Sequence, residues 1–138
     1  MLDSGCLRDN KMTFKSYKDL EIYKKAHQLT VKIHAMSLNL PKFEMYEEGS
    51  QIRRSSKSVK SNIVEGFGRR QYKQEFIKFL TYSLASCDET ADHLSTLHET
   101  ESLRNSEEYQ YLSGEYTHLG KIITNFIKSV KLGHKTNI

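Results

Sequence analysis

At 138 residues, with 37% hydrophobic and 28% charged residues, the chain has the size and balance of one soluble domain whose core needs neither metal nor disulfide. A net charge of +4 is too modest to imply nucleic acid by itself, and one proline among seven glycines favours long uninterrupted elements. Cys6 and Cys87 are too few and too far apart for a disulfide framework or zinc site, no apolar run reaches the roughly 18 residues of a membrane span, and the opening MLDSGCLRDNKM lacks the apolar stretch of a signal peptide, so the expected location is cytoplasmic with no membrane partner.

Residues 1–15 are polar and without periodicity, which predicts a disordered tail; Met12, just before the patterned sequence, is a candidate true start. From Leu20 a helix is predicted, since Ile22, Ala26, Leu29, Ile33, Met36 and Leu40 recur at spacings of three and four; Pro41 ends it, because the residue before proline resists helical dihedrals. A second helix follows a short acidic connector and carries Ile52, Ser56, Val59, Ile63 and Phe67, with Gly66 and Gly68 read as a turn. The third, from about Tyr72 to Leu103, carries Phe76, Leu80, Ser83, Cys87, Thr90, Leu94 and Leu97, widened by a parallel row of Ile77, Leu84, Ala91 and His98. Its predicted length is about 45 Å, and its broad apolar face leaves either a thicker core or a surface for a partner subunit. The fourth starts at Ser106, with Glu107 and Glu108 at the positive end of its dipole; Tyr109, Leu112, Tyr116, Leu119, Ile123, Phe126 and Val130 form its stripe and Gly133 its end. Four amphipathic helices with short links and no strand pattern predict an all-α, antiparallel up-down four-helix bundle over residues 16–132, followed by a tail at 133–138.

Little in the sequence points to catalysis. A di-iron bundle needs two Glu-x-x-His motifs, and only Glu115-Tyr-Thr-His118 is present; Glu89 and His93, four apart, read as a surface ion pair. Phosphate-loop, dinucleotide and nucleophile-elbow motifs are missing, and Ser55, Ser56, Ser58 and Ser61 read as small residues that let helices approach. The chain is therefore expected to be non-enzymatic, with no metal and no cofactor.

Charge distribution is more informative than its total. Residues 51–78 hold eight Lys and Arg against two Glu, a net +6, whereas residues 87–108 hold seven acids against one Arg, a net −6. At 100° per residue, Arg53, Lys57 and Lys60 form a row beside the core stripe of the second helix, and Arg69, Arg70 and Lys73 carry the charge past the glycines. Such a row suits phosphates, although charged rows often simply face water. Opposite the core, Arg54, Ser58, Ser61, Asn62 and Glu65 form a polar face; buried polar groups fixing a helix or subunit contact are the alternative reading of Arg54, Asn62 and Glu65.

In this helix Gln51-Ile-Arg-Arg54, then Ser58-Val-Lys-Ser-Asn-Ile-Val-Glu-Gly66 and Phe67-Gly-Arg69, closely resembles the four-helix bundle proteins encoded in intervening sequences of bacterial 23S (large-subunit) ribosomal RNA genes. Asp19-Leu-Glu-Ile-Tyr-Lys-Lys-Ala26, Leu40-Pro41, Glu75-Phe-Ile-Lys-Phe-Leu80, Ser86 and Glu89 resemble other parts of that family in order; Tyr23, Lys60 and Val64 stand where it often has Trp, Pro and Ala. The resemblance implies a bundle assembling as a homopentamer. A related accessory protein of diversity-generating retroelements further implies binding of nucleic acid and a reverse transcriptase. The combined expectation is a homo-oligomer that binds RNA or DNA with little sequence specificity through Arg53, Lys57, Lys60, Arg69, Arg70 and Lys73. Arg54, Asn62, Glu65 and Glu89 are expected at helix or subunit interfaces. A protein-only adaptor, with the basic half meeting an acidic partner, is the alternative.

Overall fold

A computed structural model describes residues 14–134. The N-terminal tail at residues 1–13, with Cys6 and Met12, and the C-terminal residues 135–138 lie outside the described residues. The described residues form four α-helices: α1 (Glu21–Ser37), α2 (Glu48–Gly68), α3 (Lys73–Glu99) and α4 (Ser106–Ser129). Single 3₁₀ turns at Tyr17–Asp19 and Lys42–Glu44 precede α1 and α2, and a π turn at Val130–His134 follows α4. No strand occurs among the described residues.

Each helix packs on two neighbours, so that α1, α2, α3 and α4 close a ring around one core. Neighbours run in opposite senses, because partners descend one helix as they ascend the next. Ser55 meets Thr90 and Ser58 meets Ser86; Thr30 meets Ser56 and His27 meets Lys60; His98 stacks on Tyr109 and Phe76 meets Phe126 edge-on; Lys32 lies over Tyr111 and Lys25 pairs with Glu115. The core comprises the expected stripes: Ile22, Leu29 and Ile33; Ile52, Val59 and Ile63; Phe76, Leu80, Leu94 and Leu97; Leu112, Leu119 and Ile123. Each large aliphatic contributes about 1.5–3 kcal/mol by leaving water, which sets the bundle as the collapsed state. The second row on α3 is only half-buried; Leu84 and Ala91 line a groove between α3 and α4 that also includes Gly120, Asp88 and Lys121.

Several boundaries differ from expectation for local reasons. Gly66 does not break α2: the helix runs on to Gly68, and Gly66 is buried where a Cβ would stand 3.2 Å from Cβ of Phe79. Helix α3 ends at Glu99 rather than near Leu103, since Glu101 takes a left-handed φ of 66° and the Leu103 amide bonds back to the Leu97 carbonyl. Leu103 then buries itself as a plug. The cap of α4 is Asn105, whose side-chain oxygen accepts from the Glu108 amide, and Ser106 is the first helical residue. At that same end Glu44, buried, accepts from Ser102 Oγ at 2.5 Å and from the Glu48 amide at 3.2 Å, tying the two turns together. Gly49 makes room for this turn, because a Cβ there would stand 2.4 Å from the Glu44 carbonyl oxygen.

Cys87 is a core residue whose thiol donates to the Tyr116 carbonyl, and burial pushes it up to about 12. Burial likewise raises the Tyr116 phenol.

Gly49→Ala is expected to lower stability by about 1–3 kcal/mol through the clash with a backbone carbonyl. Gly114→Ala, where a Cβ meets nothing within 4 Å, should raise it by about 0.5–1 kcal/mol by removing helix-interior glycine entropy; urea unfolding midpoints measure both. Because the native state prefers the neutral thiol, stability should be complete below the ordinary thiol value of 9.0 and fall as pH rises toward about 12. Denaturant titrations between pH 8 and 11 measure that loss, and Cys87→Ala should lessen it, the raised Tyr116 phenol keeping a smaller loss above its ordinary value of 10.0.

Candidate nucleic-acid interface

The polar groups of α2 divide between two faces according to which neighbour they meet. On the α3 side, Ser55 Oγ lies 2.8 Å from Thr90 Oγ1, Ser58 Oγ 2.9 Å from Ser86 Oγ, and Ser83 Oγ donates to the Val59 carbonyl at 2.6 Å. Three of the four serines therefore do admit a close neighbour: Ser55 and Ser58 meet α3, and Ser56 sits under Thr30 of α1. Ser61 does not; it is exposed and bonds to the Lys57 carbonyl.

Outside this seam the α2–α3 face is balanced in charge. Arg69 is held by Glu65 at 2.8 Å and Glu75 at 3.2 Å, which pushes its guanidinium up from its ordinary value, the Glu65 hydrogen bond foremost. It also lies 4.8 Å over the Phe79 ring, and Phe79 meets half-exposed Tyr82 edge-on. Asn62 folds back onto Ser58, Arg54 reaches only Ser50 at 3.4 Å, and Glu89 binds His93, which also contacts Glu48. Arg54, Glu65 and Glu89 are exposed and Asn62 is half-buried, so they do not form a buried polar contact within this chain. They share one outward face with two aromatic rings.

The α1 side is different. Arg53 is half-buried, donating to Ser37 Oγ at 3.0 Å and to the Met45 carbonyl at 2.6 Å; it ties α2 to the end of α1 and to the turn between them. Lys57 is exposed and makes no ion pair or hydrogen bond among the described residues. Lys60 Nζ donates to His27 Nδ1 at 3.0 Å, and His27 stacks on Tyr23, which meets Tyr17 edge-on. Burial raises the Tyr23 phenol, with Tyr17 adding to the effect. Just past the end of α2, Arg70 lies 3.9 Å over the Phe67 ring and donates to the Phe67 carbonyl.

The six expected cations thus do not form one strip. Lys57 and Lys60 lie toward α1; Arg70 folds over Phe67 just past the end of α2; Arg69 turns to α3 and its carboxylates; Lys73 donates to the Lys131 carbonyl at the end of α4; Arg53 is built into the fold. The residues that sequence reasoning passed over are Tyr17, Tyr23 and His27. Tyr23 and His27, four apart and off the core stripe, carry the helical spacing that signals a ring stack.

Folding also turns the charge pattern along the chain into polarity along the bundle. The α1–α2 and α3–α4 connections share one end, with Glu44, Glu47, Glu48, Glu99, Glu101, Glu107 and Glu108. The opposite end carries Arg69, Arg70, Lys73, Lys128 and Lys131.

Among the described residues there is no metal-capable group of three ligands; Glu115, of the Glu-x-x-His match, instead pairs with Lys25 at 2.5 Å. No described helix is long and apolar enough to cross a membrane.

Comparison with known proteins agrees with this architecture. The sequence model of the 23S rRNA-intervening sequence protein family matches residues 18–125. A crystal structure from Bacteroides thetaiotaomicron, described as a protein of unknown function from the S23 ribosomal protein family, superposes with a TM-score of 0.71 at 27% identity, over 78% of this chain and 99% of its own. No curated protein matches the chain.

The different surroundings of Arg53 and Lys57 predict different costs. Arg53→Gln should lower stability by on the order of 1 kcal/mol, because two hydrogen bonds from a half-buried cation are lost. Lys57→Gln should stay within about 0.5 kcal/mol of wild type; thermal or urea unfolding separates the two.

Proposed function

The chain belongs to the 23S rRNA-intervening sequence protein family, and for this chain we propose a non-enzymatic, homo-oligomeric protein that binds nucleic acid through the α1–α2 face of its bundle. The observation that carries the proposal is the contrast between two faces of one helix. Toward α3 the cation Arg69 is answered by Glu65 and Glu75, whereas among the described residues Lys57 has no acidic partner and Lys60 bonds to a ring nitrogen of His27. Unneutralised cations are what a polyanion requires, because affinity comes from the counterions that the cations displace from phosphates.

The same contrast supports an assembly role for the α2–α3 face. Polar Arg54, Asn62, Glu65 and Glu89 on this side of the bundle accompany half-buried Phe79 and half-exposed Tyr82, a mixture suited to a polar-rimmed protein contact. A ring of copies, a homopentamer in the family-based reading, repeats the lysine face and turns a weak phosphate contact into avidity. Lys57 and Lys60 supply no base-reading pattern, so affinity should vary little with sequence.

Fluorescence anisotropy with labelled RNA and DNA oligonucleotides across rising salt tests the proposal. Binding should weaken steeply with salt, and the Lys57→Gln/Lys60→Gln double variant should bind at least tenfold more weakly, its salt slope reduced by about one per lysine. No binding at low salt, or affinity indifferent to salt, would overturn nucleic-acid binding and favour the protein-only adaptor. Light scattering measures the mass of the assembly, and a monomer would overturn the oligomer.

A further inference from the structure

Lysine's ammonium group has only donors, so the 3.0 Å hydrogen bond from Lys60 makes Nδ1 of His27 the acceptor. Accepting through Nδ1 leaves Nε2–H as the ring's donor. Tyr23 covers one face of the ring at a centroid separation of 5.8 Å and 13° between planes, and Tyr17 braces Tyr23 edge-on at 4.9 Å. His27 is nonetheless exposed, so an oriented ring with Tyr23 beside it remains accessible to solvent. Val31, one turn further along α1, is 56% exposed and adds apolar surface beside it.

We propose that His27 is a stacking platform for an unpaired base, so that the ligand of the lysine face is single-stranded nucleic acid. The inference rests on the proposed binding face and adds its ligand class. A flat π-surface beside Lys57 and Lys60 meets the two needs of single-strand recognition: a base stacks on the ring while neighbouring phosphates meet the cations. The Nε2–H adds one donor at the ring edge for a base or phosphate oxygen. In a duplex the bases are paired and stacked, and the ring has nothing to accept. Bracing by Tyr23 and Tyr17, together with the Lys60 bond, fixes the ring before ligand arrives, which lowers the ordering cost of binding.

The test compares a fluorescein-labelled 20-nucleotide oligo(dT) with a 20-base-pair duplex at equal salt, for wild type and three variants. Wild type should prefer the single strand. His27→Ala should reduce that preference about tenfold, and His27→Phe, which keeps a ring but lacks the Lys60 acceptor, should restore it. An oligonucleotide carrying 2-aminopurine should change fluorescence on binding wild type and His27→Phe more than His27→Ala. The inference is overturned if His27→Ala keeps the wild-type preference, or if His27→Phe is as impaired as His27→Ala. Lys57→Gln/Lys60→Gln should weaken single strand and duplex alike. If it changes neither, or wild type binds neither ligand, the binding face itself is wrong; if it weakens both while His27→Ala keeps the preference, only the platform is wrong.

Discussion

Along the α2–α3 seam the side chains shrink to hydroxyls and hydrogen. Gly66 stands against Phe76 and Phe79, Ser55 and Ser58 pair with Thr90 and Ser86, and Ser83 bonds to the backbone of α2 at Val59. Each of these hydroxyls has a partner, so close approach leaves none of them stranded in an apolar interior. The seam fixes how far α2 is rotated about its own axis. Every other polar residue on the helix inherits its direction from that rotation.

With α2 so oriented, residues a few positions apart acquire opposite surroundings. Lys60 emerges against His27 of α1, while Glu65 emerges where Arg69 closes a charge cluster with Glu75 of α3. Among the described residues, one face leaves Lys57 without an acidic partner and the other neutralises its own charge. This division separates a surface suited to a polyanion from one suited to another polypeptide, with no change of fold between them.

Electrostatics along the bundle follow from helix direction. The acidic end holds the N-termini of α2 and α4, where Glu47, Glu48, Glu107 and Glu108 meet the positive ends of the dipoles. The opposite end holds their C-termini, beside Arg69, Arg70, Lys128 and Lys131. Much of the charge pattern thus serves the helices themselves. For that reason the partners of each cation are more telling than the count of cations.

Ile22, Ile52, Leu80 and Leu119 needed only their spacing to be placed in the core, since burial depends on helical period and hydrophobicity, both written in the chain. Helix number, helix order and the antiparallel bundle were legible for the same reason, and the family from the residue motif of the second helix. What tertiary structure alone decided was the partner of each polar group. Gly66 is a contact residue only because Phe79 comes to lie against it, and Arg53 is structural only because the Met45 carbonyl and Ser37 are within reach. His27, unremarkable in the sequence, becomes part of the lysine face because α1 is turned toward Lys60. A single helix period can say that two cations share a side; which of them is already occupied depends on residues far away in the chain.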